Sequence, residues 1–182
     1  MIISDLTNGV LTERKFVMGE QLTQSDVKKI QEEIDYRKLV VRKEAIEAVK
    51  EARAQGDLSE NFEYYAAKRD KNKNESRIRY LERMIKTAKV IADNSKEDEV
   101  GLYNTVDVYF EDDDETETYK VVTTVRGNSL KGLISSESPL GKALLGRKVG
   151  DRIHVQVNEK SGYDVVIKRI EKTVDDGSDA LR

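Results

Sequence analysis

The chain has 182 residues, with no cysteine, no tryptophan and one histidine, which excludes disulfides, thiolate metal sites and the usual imidazole-cluster sites. Its 32 basic and 35 acidic residues nearly cancel, to a net charge of −3, so any contact with nucleic acid must come from local patches rather than from overall charge. Charged residues make up 37 % and aromatics 6 %, too much charge for one thick core but suited to a long solvated helical element beside a small domain. No apolar run approaches the roughly 20 residues that span a bilayer. The first residues also lack the basic-then-apolar pattern of a secretory signal. No membrane association and a cytoplasmic setting are expected.

Residues 1–21 are mixed, with Gly9 and Gly19 and no sustained period, and read as a weakly ordered N-terminal extension. The character changes at Leu22. Thr23 followed by Asp26 has the form of a capping box, in which the hydroxyl serves one free amide and the carboxylate another. Apolar residues then recur at Val27, Ile30, Ile34, Val41, Ala45, Ala48 and Ala52, a coiled-coil seam interrupted at Arg37 and Lys38. Gly56 stands where a helix C-terminus often needs a positive φ. A second seam runs through Tyr64, Ala67, Ile78, Leu81, Ile85, Ala88 and Ala92, with Lys71 and Asn74 in its polar gap.

Two such helices, over about 23–55 and 59–93, can bury their stripes only against each other. The predicted unit is an antiparallel coiled-coil hairpin over 22–95 with an acidic tip at 56–61. At about 1.5 Å per residue it would project on the order of 45 Å.

From about residue 101 the period becomes that of strands. Val106, Val108 and Phe110 alternate with polar neighbours, as do Tyr119, Val121, Thr123 and Val125. The acidic run at 111–117 between them reads as a solvated hairpin turn. Ser138 and Pro139 read as the cap and first residue of a short helix ended by Gly146. Strands follow at Ile153–Val157 and Tyr163–Ile170, with His154 on the exposed face, and residues 173–182 read as a disordered tail. The expected fold class is α+β, a helical hairpin followed by a strand-rich domain over 101–172.

The stretch EARAQGDLSENFEYYAAKRD at 51–70 carries the chemistry. It sets Asp57, Glu60 and Glu63 within one turn of the start of the second helix, with Arg53, Lys68 and Arg69 a turn or two back. Two carboxylates at a protruding tip supply the hard oxygen ligands that magnesium prefers, and one of them could orient or deprotonate a water. Alone they make only half a site, because exposed carboxylates in so small a number bind magnesium weakly. Asp57 and Glu60 also have the D-x-x-E spacing of a capping box, and acids at a helix N-terminus are favoured by the dipole. Spacing does not separate the two readings.

Residues 51–68 resemble the signature of the Gre transcript-cleavage factors, in which a GDLSEN turn joins two coiled-coil helices. Here GDLSEN is intact at 56–61 and is followed by Tyr64, Ala66 and Ala67. LTQSDVKKIQEEI at 22–34 is similar to the start of that family's first helix. ISSESPLGKALLGRKVGD at 134–151 resembles its second signature, in an FKBP-like domain. The likeness covers about residues 22–172, with two separated motifs in order.

The resemblance implies that the hairpin enters the secondary channel of a bacterial RNA polymerase in backtracked elongation complexes and reaches the nascent RNA 3′ end. Asp57 and Glu60 would share a magnesium ion with the polymerase active site, with none held tightly by this chain alone, and would position a water. The polymerase would then hydrolyse its own transcript, so the chain itself is expected not to be a nuclease. Arg53, Lys68 and Arg69 would face the RNA. Gly56, Ser59, Asn61 and Tyr64 would support the tip, and the FKBP-like domain would dock at the channel entrance.

Two positions depart from the family pattern, which commonly has glycine at Asp26 and histidine at Tyr65. The alternative is a Gre-fold regulator that occupies the channel without stimulating cleavage, against which the retained Asp57 and Glu60 argue. A client-binding chaperone hairpin is disfavoured by the polar tip, and a prolyl isomerase by the poverty of aromatics in the C-terminal half.

Overall fold

The computed structural model describes residues 19–54 and 61–181. The reading of residues 1–18 therefore lies outside the described residues. The α+β architecture is the one expected: a helical hairpin, then a strand-rich domain.

Strand β1 (Gln21–Leu22) leads into helix α1 (Gln24–Tyr36). The Thr23–Asp26 capping box is complete, with Thr23 Oγ1 accepting from the Asp26 amide and Asp26 Oδ2 from the Thr23 amide. A π-helical turn, Arg37–Val41, joins α1 to helix α2 (Arg42–Ala54). This is the interruption expected at Arg37 and Lys38, and its cause sits on the opposite helix. Asn74 of α3 (Phe62–Thr87) is buried; its Nδ2 donates to the Arg37 carbonyl at 3.3 Å and its Oδ1 accepts from Arg37 Nη1 at 3.2 Å. The same carbonyl accepts the Arg42 amide, five residues on.

A π turn takes in one extra residue. Each residue beyond it occupies the place its predecessor would hold on an unbroken α-helix. Beyond it Val49 is half-buried and Ala48, expected in the seam, is exposed, while Ala52 is buried as expected. Arg42 forks onto Glu75 (2.7 and 2.8 Å), holding that carboxyl below its ordinary value, and Glu33 accepts from Arg37 one turn along its own helix and from Arg77 across the arm.

Helix α3 ends at Thr87 rather than near 93, because Ala88 turns to extended backbone and strand β2 (Lys89–Val90) pairs in parallel with β1. Ala92 is accordingly exposed and outside the seam. With 26 residues, α3 is about 39 Å long. Among the described residues no helix is long and apolar enough to cross a membrane.

The second part is a five-stranded sheet of β3 (Thr105–Phe110), β4 (Glu115–Val122), β5 (Leu133–Ser135), β6 (Arg152–Asn158) and β7 (Ser161–Glu171), in the order β5-β4-β3-β7-β6. Only β4–β5 is parallel. Helix α4 (Pro139–Leu144), capped by Ser138, covers one face: Leu140 and Leu144 pack with Val106, Val108, Val121, Ile153, Val155, Val165 and Ile167. Gly141 is required there, since a Cβ would lie 2.0 Å from the Ser135 carbonyl oxygen. His154 is exposed on the far face, its Nδ1 2.9 Å from Asp164 Oδ1. The acidic run forms a turn through Asp114 and then enters β4.

Two expectations about the C-terminal half need correction. Val125 does not continue the β4 alternation. The chain bends into a 3-10 turn, Thr124–Arg126, and Val125 joins Leu22, Ile30, Ile34, Leu81 and Met84 in a core at the base of the hairpin. Residues 173–181 form neither helix nor strand, yet they are not a free tail. Leu181 packs on that same core, Asp179 accepts from Lys29 through its carbonyl and from Lys120 through its side chain (2.8 Å each), and Thr173 donates to the Tyr103 carbonyl.

The centre of this junction is Arg126, wholly buried. Its Nε donates to buried Asp26, its Nη1 and Nη2 fork onto Asp175 at 2.7 and 3.0 Å, and Nη2 also reaches Ser25 Oγ. Tyr103 lies beneath the guanidinium, 5.1 Å away, its hydroxyl bonded to Thr23 and Asp26. Burial opposes the charge on Arg126, but the Asp175 bonds and the Asp26 charge outweigh it and hold the guanidinium above its ordinary value. One cluster thus ties hairpin, domain and tail together.

Candidate functional site at the hairpin tip

Gly56, Asp57, Ser59 and Glu60 lie outside the described residues. What the structure gives is its frame. Ala54 is the last described residue of α2, and α3 starts after Asn61.

Asn61 holds the two helices together at this end. Its Oδ1 caps α3 by accepting from the Tyr64 amide at 2.9 Å, and its Nδ2 donates to the Ala52 carbonyl of α2 at 2.7 Å. One side chain therefore satisfies a free donor of one helix and a free acceptor of the other, both of which a helix end otherwise leaves to water. Buried Ala52 lets the backbones come close enough for that bond.

Tyr64 lies between two cations. Arg53 Cζ is 5.7 Å and Lys68 Nζ 5.9 Å from its ring centroid, and the Arg53 guanidinium, with smaller help from Lys68, holds the phenol below its ordinary value. Tyr65 meets Tyr64 edge-on at 5.6 Å. The structure thus brings Arg53, Asn61, Tyr64 and Lys68 together, while Arg69, the residue after Lys68, is exposed. Two features here were not singled out from the sequence: the exposed Phe62 and the bond from Asn61 to Ala52. The N-F-E-Y-Y run was the available signal for the first; the second depends on how closely the helices approach.

Asp57 and Glu60 follow α2 and precede α3 by position in the chain, three residues apart. Their donor chemistry is oxygen only, with no nitrogen or sulfur ligand in the turn, which fits magnesium as part of a site that other groups complete. Among the described residues, no group of three or more acidic or histidine side chains could hold a metal by itself.

A second surface belongs to the strand-rich domain. Leu130, 97 % exposed, stands over an open groove of about 490 Å³ lined by Thr124, Asn128, Leu133, Ser135 and Ser138.

Residues 20–90 match the protein family described as "Transcription elongation factor, N-terminal", and residues 94–172 match "Transcription elongation factor, GreA/GreB, C-term". The chain is 47 % identical over 137 residues to the transcription elongation factor GreA of Thermoanaerobacter pseudethanolicus, covering 75 % of this chain and 87 % of that one. It is 41 % identical over 148 residues to the GreA of Bacillus licheniformis, covering 81 % and 92 %. Among solved structures it is similar to the GreA factor homolog 1 (Gfh1) protein of Thermus thermophilus, at 26 % identity, with coverage of 84 % and 99 % and a TM-score of 0.39.

Proposed function

Because the chain belongs to the Gre (GreA/GreB) family of transcription elongation factors, we propose that it rescues backtracked RNA polymerase by stimulating the polymerase's own cleavage of the transcript. The observation that carries this reading is the intact GDLSEN sequence at 56–61, between two helices that Asn61 clasps together. An arm about 39 Å long and one coiled coil wide can pass through a channel that a globular domain cannot. Its tip then carries two carboxylates into the polymerase active centre.

In this reading Asp57 and Glu60 would hold a magnesium ion jointly with the polymerase and would orient the attacking water. The bound ion would lower the pKa of that water and stabilise charge developing on the scissile phosphate. Arg53, Lys68 and Arg69 draw the extruded RNA toward the tip by charge, with Tyr64 fixing the direction of the first two. Gly56 and Ser59 would shape the turn. The strand-rich domain docks at the channel entrance, with Leu130 and its groove as the contact. The chain contributes ligands and position, and the polymerase contributes the rest of the catalytic site.

Asp57→Asn and Glu60→Gln keep size and capping capacity while removing charge. Each abolishes cleavage of a stalled, end-labelled elongation complex and leaves polymerase binding near wild type, and raised magnesium partly restores a single variant by mass action. Cleavage at the wild-type rate by both variants would leave these acids as helix caps. The protein would then be a regulator that occupies the channel without stimulating cleavage.

A further inference from the structure

Phe62 is the first residue of α3 and is 88 % exposed, with no place in any of the three apolar clusters among the described residues. Capping does not need it, since Asn61 performs that task by itself. Tyr65, 53 % exposed, follows three residues later, and exposed Arg69 four after that. At about 100° per residue the three fall within roughly 60° of arc on one face of α3. Tyr65 is braced edge-on against Tyr64, so that its outer surface stays free. On the neighbouring face stand Arg53 and Lys68, with Glu63 on the far side of Phe62.

Two open aromatic rings interleaved with three cations match the chemistry of single-stranded nucleic acid. Cations follow the phosphates, and aromatic rings stack the bases whatever their identity. An apolar protein surface would need the rings but not the cations. We propose that Phe62, with Tyr65 behind it, stacks on the unpaired base at the 3′ end of the extruded RNA and fixes the scissile phosphate relative to the tip. Phe62 is then a positioning residue whose ligand is a nucleobase, distinct from the phosphate-directed role of Arg53 and Lys68.

The inference rests on the proposed reading that the tip reaches the transcript, so its test has two readouts. The first is the factor concentration giving half-maximal cleavage of a defined backtracked complex. Phe62→Ala raises it about tenfold, in line with the loss of one base stack, and Phe62→Trp restores it. A transcript with an abasic 3′ nucleotide shows the wild-type protein already weakened and Phe62→Ala no weaker than wild type. The second readout does not need cleavage: a 4-thiouridine at the RNA 3′ end, irradiated in the assembled complex, crosslinks to the segment holding Phe62 and Tyr65.

An unchanged half-maximal concentration in Phe62→Ala overturns the proposal. So does a loss of the same size on the abasic transcript or in binding to polymerase without backtracked RNA, because either result assigns Phe62 to a protein surface. A wild-type protein that crosslinks but does not promote cleavage sustains the stacking contact and refutes the cleavage function. Absence of both refutes the two together.

Discussion

Replacing Arg126 by methionine removes the one cation that, among the described residues, pairs with the wholly buried Asp26. Asp175, near the surface, can swing into water with the tail; Asp26 cannot, because it is buried within α1 and accepts the amide of the cap residue Thr23. Stranding a buried carboxylate costs about 3–5 kcal/mol, against a total stability on the order of 5–15 kcal/mol for a chain of ordinary proportions. The single variant should therefore unfold at much lower urea, read by far-ultraviolet circular dichroism. Its hairpin and strand-rich domain should melt in separate steps, since the shared cluster no longer couples them. Asp26→Asn in the same chain removes the stranded charge and retains an oxygen for the Thr23 amide. The double variant should recover most of the loss. If Arg126→Met costs under about 1 kcal/mol, or if the two substitutions simply add, the cluster is not the coupling between the two parts and this reasoning fails.

Asn61→Ala removes both the cap of α3 and the bond to Ala52; a stability loss of about 1 kcal/mol is expected from the cap. It should be accompanied by slower transcript cleavage at unchanged polymerase affinity, measured on the same complexes. Asp175 is held below the ordinary aspartate range by its bonds to Ser25 and Arg126, which overcome the opposing effect of burial. A depressed folded value means that its contribution is complete above about pH 4 and is lost as pH falls below that. Hydrogen-exchange protection at Gly177, whose amide bonds Asp175, should accordingly hold at pH 5 and be lost only as the pH falls through the depressed value of Asp175, below the ordinary aspartate range. Free RNA incubated with rigorously purified protein and magnesium should stay intact for hours; degradation that disappears in Asp57→Asn would contradict the half-site.

The hairpin was legible because its signals are local. Seams of period three and four, a capping box at Thr23 and a Ser138-Pro139 start all sit within a few residues of what they control. Alternation marked β3, β6 and β7 for the same reason. The junction was hidden because Arg126 and Asp26 are 100 residues apart, and nothing near either one names the other. Val125 continued a true alternation that the fold interrupts to serve a different core. Residues 173–181 have the composition of a disordered tail and are held by Lys29, Lys120 and Arg126, far away in the chain. At the tip, motif alone singled out Asp57 and Glu60, whereas Asn61 owes its second bond to an approach of helices that sequence does not specify.

The π turn at Arg37–Val41 also bears on how the arm can gain or lose a residue. It stores one residue without passing a rotation of about 100° to everything beyond it. Loss of a single residue there, with the turn relaxing to ordinary α-helix, would leave Arg53 and Asn61 facing as they do now. The same deletion beyond Arg42 has no such reserve and would swing Arg53 away from Tyr64. Among the described residues the arm thus has one place where the number of residues and its aim are decoupled, and that place is fixed by Asn74 on the opposite helix of the coil.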